Sequence, residues 1–369
     1  MPVNILSALI FVLVFAGVVL IHEFGHFIVA RLRGVEVEEF GIGLPPRILT
    51  LFHWNGTDFT LNWLPVGGFV RPRGENDPNV PGGLAASSAL TRLAVLFAGP
   101  TMNLLGGVIV FSILFYQMGV PDYQRVQIND VLPGSPAAQA GIQLNDIVVS
   151  LNGAKITDPA QLHDIIYANL DRPVEFVLER SGQTVTLRAT PTSQRAKEQG
   201  ALGISMGPAM LRSGSVIQSL QYGAYAVYGQ ARALVLLPAQ MLRGQLSPQE
   251  GRFIGLKGIY DIFGQAVSRD VQSRTPVSSS SSQSPQTPTY FTLQLIGILT
   301  VSLGIFNLFP FPALDGGRII FVLPELILRR RVPAQLETLV HGIGMALLLL
   351  FMLYVNVMDF VNPAAINLP

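Results

Sequence analysis

Four long apolar stretches constrain this chain more than any other feature of its sequence. They run from about Ile5 to Val29, from Leu93 to Pro121, from Phe291 to Leu314 and from Leu339 to Met358. About 20 apolar residues are enough for a helix to cross the hydrocarbon core of a bilayer. The first stretch lacks the basic start and the small-residue cleavage site of a secretory signal peptide. We therefore predict a polytopic α-helical membrane protein with about four transmembrane helices.

The composition agrees with a membrane protein and excludes several other classes. Only 13% of the residues are charged, against about 25% in soluble domains. The net charge is +1 and no basic stripe is present, so we expect no nucleic-acid partner. Because cysteine is absent, a metal would have to be bound by His, Asp, Glu or other oxygen ligands.

The distribution of basic residues predicts how the spans are oriented. Arginines are concentrated in the short loops that follow the first and third spans, whereas the two ends of the chain contain no Lys or Arg. By the positive-inside rule, both short loops are cytoplasmic. Both termini and the long segment between spans two and three are then extracytoplasmic. We expect a multi-pass protein of the cell inner (plasma) membrane, in contact with the lipid bilayer.

The segment from Asp122 to about Pro208 has the character of a soluble domain, with charged residues and strand-like runs between turns. Its stretch VLPGSPAAQAGIQLNDIVVSLNGAKI, at 131–156, resembles a PDZ domain. The resemblance implies an inserted extracytoplasmic α+β domain that binds an extended peptide or protein ligand along a sheet edge. The later sequence ALGISMG is similar to the ligand-binding loop of that family, which implies a groove at Leu202, Gly203 and Ile204. The alternative is that Gly203 is an ordinary turn glycine.

The region between the PDZ-like segment and the third span has two parts. Residues 215–242 are apolar but are interrupted by Arg232 and several glutamines, which favours an interfacial helix over a fifth span. Residues 273–289 form a Ser/Pro-rich linker. The predicted domain order is a first membrane half (1–121), the PDZ domain (122–208), the interfacial helix and linker (209–290) and a second membrane half (291–369).

The first span contains the sequence HEFGH at positions 22 to 26. On a helix, His22 and His26 project from the same face and Glu23 flanks them. Two histidines at this spacing bind Zn²⁺ in many metalloproteases, and the glutamate acts as a general base. Ionisable residues at membrane depth are costly and mark places where groups bind or react. The alternative is three polar residues that water satisfies near the headgroups.

A catalytic zinc ion needs a third protein ligand and an open position. Three glutamates follow the first span so soon that the chain would have to double back tightly for one of them to reach the histidines. His341 in the fourth span is a weaker candidate for the third ligand. The sequence NLFPFPALDGGR, at 307–318, interrupts the third span with two prolines. Irregular backbone at membrane depth is tolerated where it lines a cavity. Asp315 in this segment is therefore the better candidate, and an N-cap of the next helix is its other interpretation.

Together, these motifs resemble the site-2 protease family of intramembrane zinc metalloproteases, in its bacterial single-PDZ form. The resemblance implies that His22, His26 and Asp315 bind Zn²⁺ and that Glu23 is the catalytic base. It further implies that Asn307 helps to hold the substrate strand or the oxyanion.

Two further segments are similar to that family, and one departs from it. The sequence AGPTMN, at 98–103, places Asn103 near the active site or the substrate, although its small residues equally suit helix packing. Residues 48–75 alternate around an Asn-Gly turn, which predicts a membrane-associated β-hairpin whose edge the substrate meets. The segment at 251–264 lacks part of the family's Gly-Pro-x-Gly-Ile pattern.

The resemblance implies regulated intramembrane proteolysis, in which peptide bonds within single-span membrane proteins are cut near the cytoplasmic face. Anti-sigma factors and remnant signal peptides are substrates of this type. The alternative function is a non-proteolytic metal-binding PDZ scaffold, or pseudoprotease. Glu23 argues against it, because binding zinc alone requires no base. A metal transporter is disfavoured by the lack of repeated intramembrane carboxylates.

Overall fold

The computed structural model describes residues 3–194, 200–211, 215–245, 252–274 and 289–362. The chain forms two compact units, of which the first comprises Met1–Leu114 with Leu220–Pro369 and the second Phe115–Ser219. Most of the predicted Ser/Pro-rich linker lies outside the described residues. In chain order the elements are α1 (Val3–Leu32), β1 (Val37–Trp54), β2 (Thr57–Pro72), α2 (Ala89–Met118), β3 (Val120–Val131), α3 (Pro136–Gln139), β4 (Ile147–Leu151), β5 (Ala154–Lys155), α4 (Pro159–Ala168), β6 (Val174–Arg180), β7 (Gln183–Ala189), β8 (Ile204–Leu211), α5 (Val216–Leu242), α6 (Leu256–Arg274), α7 (Phe291–Leu308), α8 (Asp315–Leu328) and α9 (Ala334–Val361).

Within the described residues, four helices are long and apolar enough to cross a membrane: α1, α2, α7 and α9. The sequence predicts the same four spans, and a multi-pass membrane protein is confirmed. The third span is shorter than predicted, because α7 ends at Leu308 instead of continuing to Leu314. Pro310 and Pro312 lack the amide hydrogen that a continuing helix would need.

Small residues let the membrane helices approach closely. A Cβ atom added at Gly25 of α1 would lie 2.8 Å from the carbonyl carbon of Ala98 in α2. A Cβ atom at Gly304 of α7 would lie 3.0 Å from the carbonyl oxygen of Pro100 in α2. Backbone contact of this kind is typical of helix pairs in bilayers, where van der Waals packing replaces the hydrophobic effect.

Strands β1 and β2 fold into a small antiparallel sheet beside α1. Residues 37–42 lie between two parts of β2, since Phe40 pairs with both Phe59 and Val70. The segment 68–72 is consequently an edge of this sheet. A Cβ atom at Gly68 would lie 2.8 Å from the end of the Leu20 side chain of α1, so this edge packs closely against the helix.

The helix α5 occupies the region predicted as interfacial and is not among the candidate spans. Its Gln230 amide donates to the carbonyl of Ile298 in α7 at 2.8 Å. Its Gly223 lies against α2, where an added Cβ atom would be 2.7 Å from the Val108 carbonyl oxygen. α5 therefore packs along two of the membrane helices.

The helix α6 begins on a buried carboxylate of α9. Asp359 is 1% exposed and accepts hydrogen bonds from the amides of Gly255 at 2.8 Å and Gly258 at 2.9 Å. Arg252 pairs with the same carboxylate at 3.2 Å. A Cβ atom at Gly255 would lie 2.9 Å from Asp359 Oδ2. The glycines at the start of α6 therefore make room for the Asp359 carboxylate that caps this helix.

The second unit contains a sheet in the order β7, β6, β4, β3, β8, with β5 paired to β4. Helices α3 and α4 begin at the side-chain caps Ser135 and Asp158. Arg180 makes two hydrogen bonds of 2.7 Å to the fully buried Asp146. That carboxylate raises the pKa of Arg180 above its ordinary value. The core side chains come from both helices and the sheet.

Candidate metal centre

Three side chains from distant parts of the sequence meet within the first unit. His22 Nε2 lies 3.1 Å from Asp315 Oδ2, and His26 Nε2 lies 3.3 Å from the same oxygen. The two histidine Nε2 atoms are 3.2 Å apart. His22 and Asp315 are 293 positions apart in the sequence. These atoms form a nearly equilateral triangle of two nitrogens and one oxygen.

The size of this triangle fits a tetrahedral zinc ion. With zinc bonds of about 2.0–2.1 Å to nitrogen and oxygen, two ligand atoms of a tetrahedron are about 3.3 Å apart. The three observed separations agree with this value. Two imidazoles and one carboxylate also match the donor set of catalytic zinc sites, which leave the fourth position open.

The sequence after α7 brings Asp315 to the histidines. The chain turns sharply between α7 and α8, and Cβ atoms at Gly316 or Gly317 would clash with the backbone of that turn. The amide of Ala313 donates to His341 Nδ1 at 3.0 Å, so His341 supports the turn. The cap position of α8 is Leu314, with no side-chain cap bond, and Asp315 is the first helical residue. The Asp315 side chain therefore does not serve as the N-cap.

The helix α2 supports both histidines. The carbonyl of Val95 lies 2.7 Å from His26 Nδ1 and accepts a hydrogen bond from it, which leaves Nε2 free for a metal. A Cβ atom at Gly99 would lie 2.7 Å from His22 Nε2 and closer still to His26 Nε2. One turn further on, the Asn103 amide lies 3.3 Å from His22 Nδ1. Residues 95, 99 and 103 thus share the helix face beneath the site.

Glu23 connects the site to the edge of the small sheet. The amide of Val70, in the edge segment 68–72, donates to Glu23 Oε2 at 3.1 Å. Glu23 also interacts electrostatically with His26 and Asp315. The carboxylate consequently lies beside the triangle of His22, His26 and Asp315 and contacts the edge segment 68–72.

The structure places the remaining predicted residues in several different environments. The Asn307 amide donates to the carbonyl of Leu303 in its own helix at 3.0 Å. In the second unit, Leu202 is 1% exposed and its side chain belongs to the core. Gly203 has a φ of +68°, which glycine adopts without strain, and Ile204 begins the edge strand β8.

Sequence reasoning missed Val95, Gly99 and Val70 as parts of the site. Val95 and Val70 act through backbone groups. Every non-proline residue has these groups, so the residue type does not reveal the role. Gly99 lies in the AGPTMN motif and is one helical turn before Asn103, so its spacing was a usable signal. We interpreted its small size only as favouring helix packing.

Four apolar helices and an internal His-His-Asp cluster define a multi-pass membrane protein with a candidate metal centre. Comparisons with known proteins identify the family. Residues 10–351 match the family described as peptidase family M50. A Clostridium perfringens protein whose name includes the words zinc metalloprotease is 31% identical over 353 residues, which is 95% of this chain and 97% of that protein. The metalloprotease MmpA of Caulobacter vibrioides is 27% identical over 380 residues, which covers 95% of this chain and 93% of MmpA.

The chain belongs to peptidase family M50, the site-2 protease family. It is a zinc metalloprotease and uses Zn²⁺ as its cofactor. The expected family and cofactor are thereby confirmed. As an enzyme embedded in a membrane, it acts in a lipid bilayer on protein substrates.

Proposed function

We propose that His22, His26 and Asp315 bind the catalytic zinc ion and that Glu23 is the general base. The observation that carries this proposal is the triangle of ligand atoms with sides of 3.1, 3.2 and 3.3 Å. It supplies three ligands of the right chemistry at the separation that zinc requires.

The proximity of the sheet edge 68–72 to Glu23 supports presentation of the substrate as an extended strand. A peptide bond in a helix is hydrogen-bonded and shielded, so a transmembrane helix must unwind before it is cut. An extended segment can add to the edge 68–72 by main-chain hydrogen bonds. The Val70 amide, which donates to Glu23 Oε2 at 3.1 Å, then lies beside the arriving chain.

In this proposal, different residues have different roles in hydrolysis of the peptide bond. Zinc, when bound, polarises the scissile carbonyl and lowers the pKa of the attacking water. Glu23 accepts the proton of that water and delivers it to the leaving amine. The edge segment aligns the substrate, and α2 holds the two histidine rings at fixed angles.

The substrate class follows from the membrane setting. We infer that the enzyme cleaves transmembrane segments of single-span membrane proteins, as in regulated intramembrane proteolysis. The hairpin supports this inference, because Phe52, Trp54 and Trp63 in it are each more than half exposed, at 54%, 58% and 69%. Exposed aromatic side chains of this kind suit the membrane interface. The arginine distribution supports a site near the cytoplasmic face and termini on the outside.

We further propose that the second unit is an extracytoplasmic PDZ domain that binds a peptide. Its edge strand β8 lies beside α4, which is the arrangement that strand addition needs. The Gly203 turn precedes β8, and its positive φ brings backbone amides to the start of this edge. Residues 202–204 would then contribute through their backbone, because the Leu202 side chain is buried.

Replacing Glu23 by Gln tests the proposed mechanism. The variant keeps a side chain of the same size but cannot act as a base, so cleavage of a single-span substrate should slow by about 10²–10⁴-fold. Bound zinc should remain at the parent level. Cleavage is followed by gel shift of a reconstituted substrate, and zinc is measured by atomic absorption.

Matched variants make the result decisive. Glu38→Gln changes an exposed glutamate at the start of the hairpin and should cleave like the parent. Asp315→Asn should lower the zinc content if Asp315 is a ligand. Parent-like cleavage by Glu23→Gln would refute the proposed base, and unchanged zinc in Asp315→Asn would refute the proposed ligand set.

A further inference from the structure

The side-chain amide of Asn103 is buried, and its oxygen lacks a hydrogen-bond donor among the described residues. Asn103 is fully buried in α2. Its Nδ2 atom lies 3.3 Å from His22 Nδ1. Its Oδ1 atom has no hydrogen-bond partner among the described residues. A buried carbonyl without a donor costs about 1–3 kcal/mol, so such an oxygen calls for an explanation.

The proposed role of His22 supplies the missing donor. A neutral imidazole carries one N–H group and one acceptor nitrogen. His22 Nε2 forms one corner of the ligand triangle, so metal binding there requires the proton to be on Nδ1. An Nδ1–H group would then face the Asn103 NH₂ group, and two donors cannot bond to each other.

A half-turn of the Asn103 amide removes this conflict. The oxygen and nitrogen of an asparagine amide occupy equivalent volumes, so the exchange moves no other atom. Oδ1 then lies about 3.3 Å from His22 Nδ1, in place of the amide nitrogen, and accepts its hydrogen. This change gives Oδ1 a donor and removes the facing pair of donors, and it places the NH₂ group where Oδ1 had been.

We propose that Asn103 is a positioning residue of the metal centre, whose side-chain oxygen accepts the Nδ1–H of His22 and fixes the tautomer and orientation of that ring. The inference rests on the zinc ligands proposed above. It replaces the expectation that Asn103 contacts the substrate, since the residue has no exposed surface. Groups that orient metal-bound histidines in this way raise the affinity of the site for its metal.

The surroundings of Asn103 support a fixed role. The His26 ring has an equivalent partner two turns earlier on α2, the Val95 carbonyl at 2.7 Å from Nδ1. α2 thus provides one acceptor for each histidine, with Gly99 between them. On the other side, a Cβ atom at Gly304 of α7 would lie 3.1 Å from the Asn103 Cβ atom, so α7 closes over the residue. The close packing of α7 therefore favours rotation of the Asn103 amide about its own bond over movement of the whole side chain.

Zinc affinity of the purified full-length protein tests this role independently of catalysis. Asn103→Leu keeps the approximate volume but removes the acceptor, and should weaken zinc binding by about 10–100-fold in competition with a chromophoric chelator. Asn103→Asp retains an acceptor oxygen and should bind zinc at least as tightly as the parent. With Co²⁺ in place of zinc, the visible absorption bands should shift in the Leu variant and not in the Asp variant.

Asn307→Leu is the matched control, because it removes a second asparagine of the membrane core whose amide bonds only within its own helix. It should leave zinc affinity unchanged. The inference would be overturned if Asn103→Leu bound zinc like the parent. It would also be overturned if Asn103→Leu lost as much zinc affinity as Asn103→Asp, or as much as Asn307→Leu. His22→Ala separates this failure from failure of the proposed function: if its zinc content equals that of the parent, the zinc ligand set itself is wrong.

Discussion

Gly99 shows how much the metal centre depends on a missing side chain. It lies on α2 directly beneath both imidazole rings, next to Ala98, whose backbone packs against Gly25 of α1. Any Cβ atom there would contact both Nε2 atoms, which are the atoms proposed to bind zinc. The requirement for glycine at this position is therefore steric and concerns the ligands themselves.

We expect Gly99→Ala to weaken zinc binding by about 10-fold or more, since it displaces both rings from their supporting groups. The helix itself should not suffer, because alanine is the better helix former. Zinc affinity by chelator competition and helix content by circular dichroism measure the two effects. Gly106→Ala, on the same helix, places its Cβ 3.4 Å from the nearest atom of Thr300 and should change neither. Equal zinc affinity in the two variants would contradict the steric explanation.

At the scale of elements, the edge of the small sheet is the feature that the function requires. Residues 37–42 occupy the middle of the sheet, and the segment 68–72 presents its outer side to Glu23. A strand edge without a partner strand normally invites unwanted pairing. Here the edge lies beside the proposed base, where pairing with a substrate is useful.

Val70→Pro should test this edge with little damage to the sheet. The Val70 amide points toward Glu23, so proline removes that donor without removing a bond to residues 37–42. Loss of a hydrogen bond to a charged group is worth about 1.5–3 kcal/mol, which corresponds to a decrease in kcat/KM of roughly 10–150-fold. Zinc content should stay at the parent level. Val70→Ala keeps the amide and should cleave normally, and equal activity of the two variants would argue against a role for this donor.

At the scale of the whole molecule, the end of the chain helps to assemble the first unit. Asp359 in α9 receives the amides that begin α6 and pairs with Arg252, more than a hundred positions earlier. A buried carboxylate with several donors is stable only while all of them are present. The last membrane helix and α6 should therefore lose stability together.

Asp359→Leu should lower the unfolding temperature of the purified protein measured in detergent. Removing one partner of a buried ion pair costs up to about 3–5 kcal/mol, whereas a surface pair contributes about 0–1 kcal/mol. Asp261→Leu, which breaks the much less buried pair with Lys257, is the matched control and should shift the temperature by a smaller amount. If the two variants melted together, the cap would have no special role in stability.

The sequence by itself determined the membrane spans and the chemistry of the site. Spans follow from the length of apolar runs, and a helical period places His22 and His26 on one face, so both are local properties. The break at Pro310 and Pro312 and the candidate Asp315 were also readable, because proline acts locally on the helix.

Only the tertiary structure decided which distant groups meet. It brought Asp315 to within 3.3 Å of both histidines and excluded the alternative that its side chain caps α8. It also placed the Val95 carbonyl, the Val70 amide and the space at Gly99 around the site. Such contacts depend on how helices and strands pack, and backbone atoms or empty space carry no signature in a single sequence.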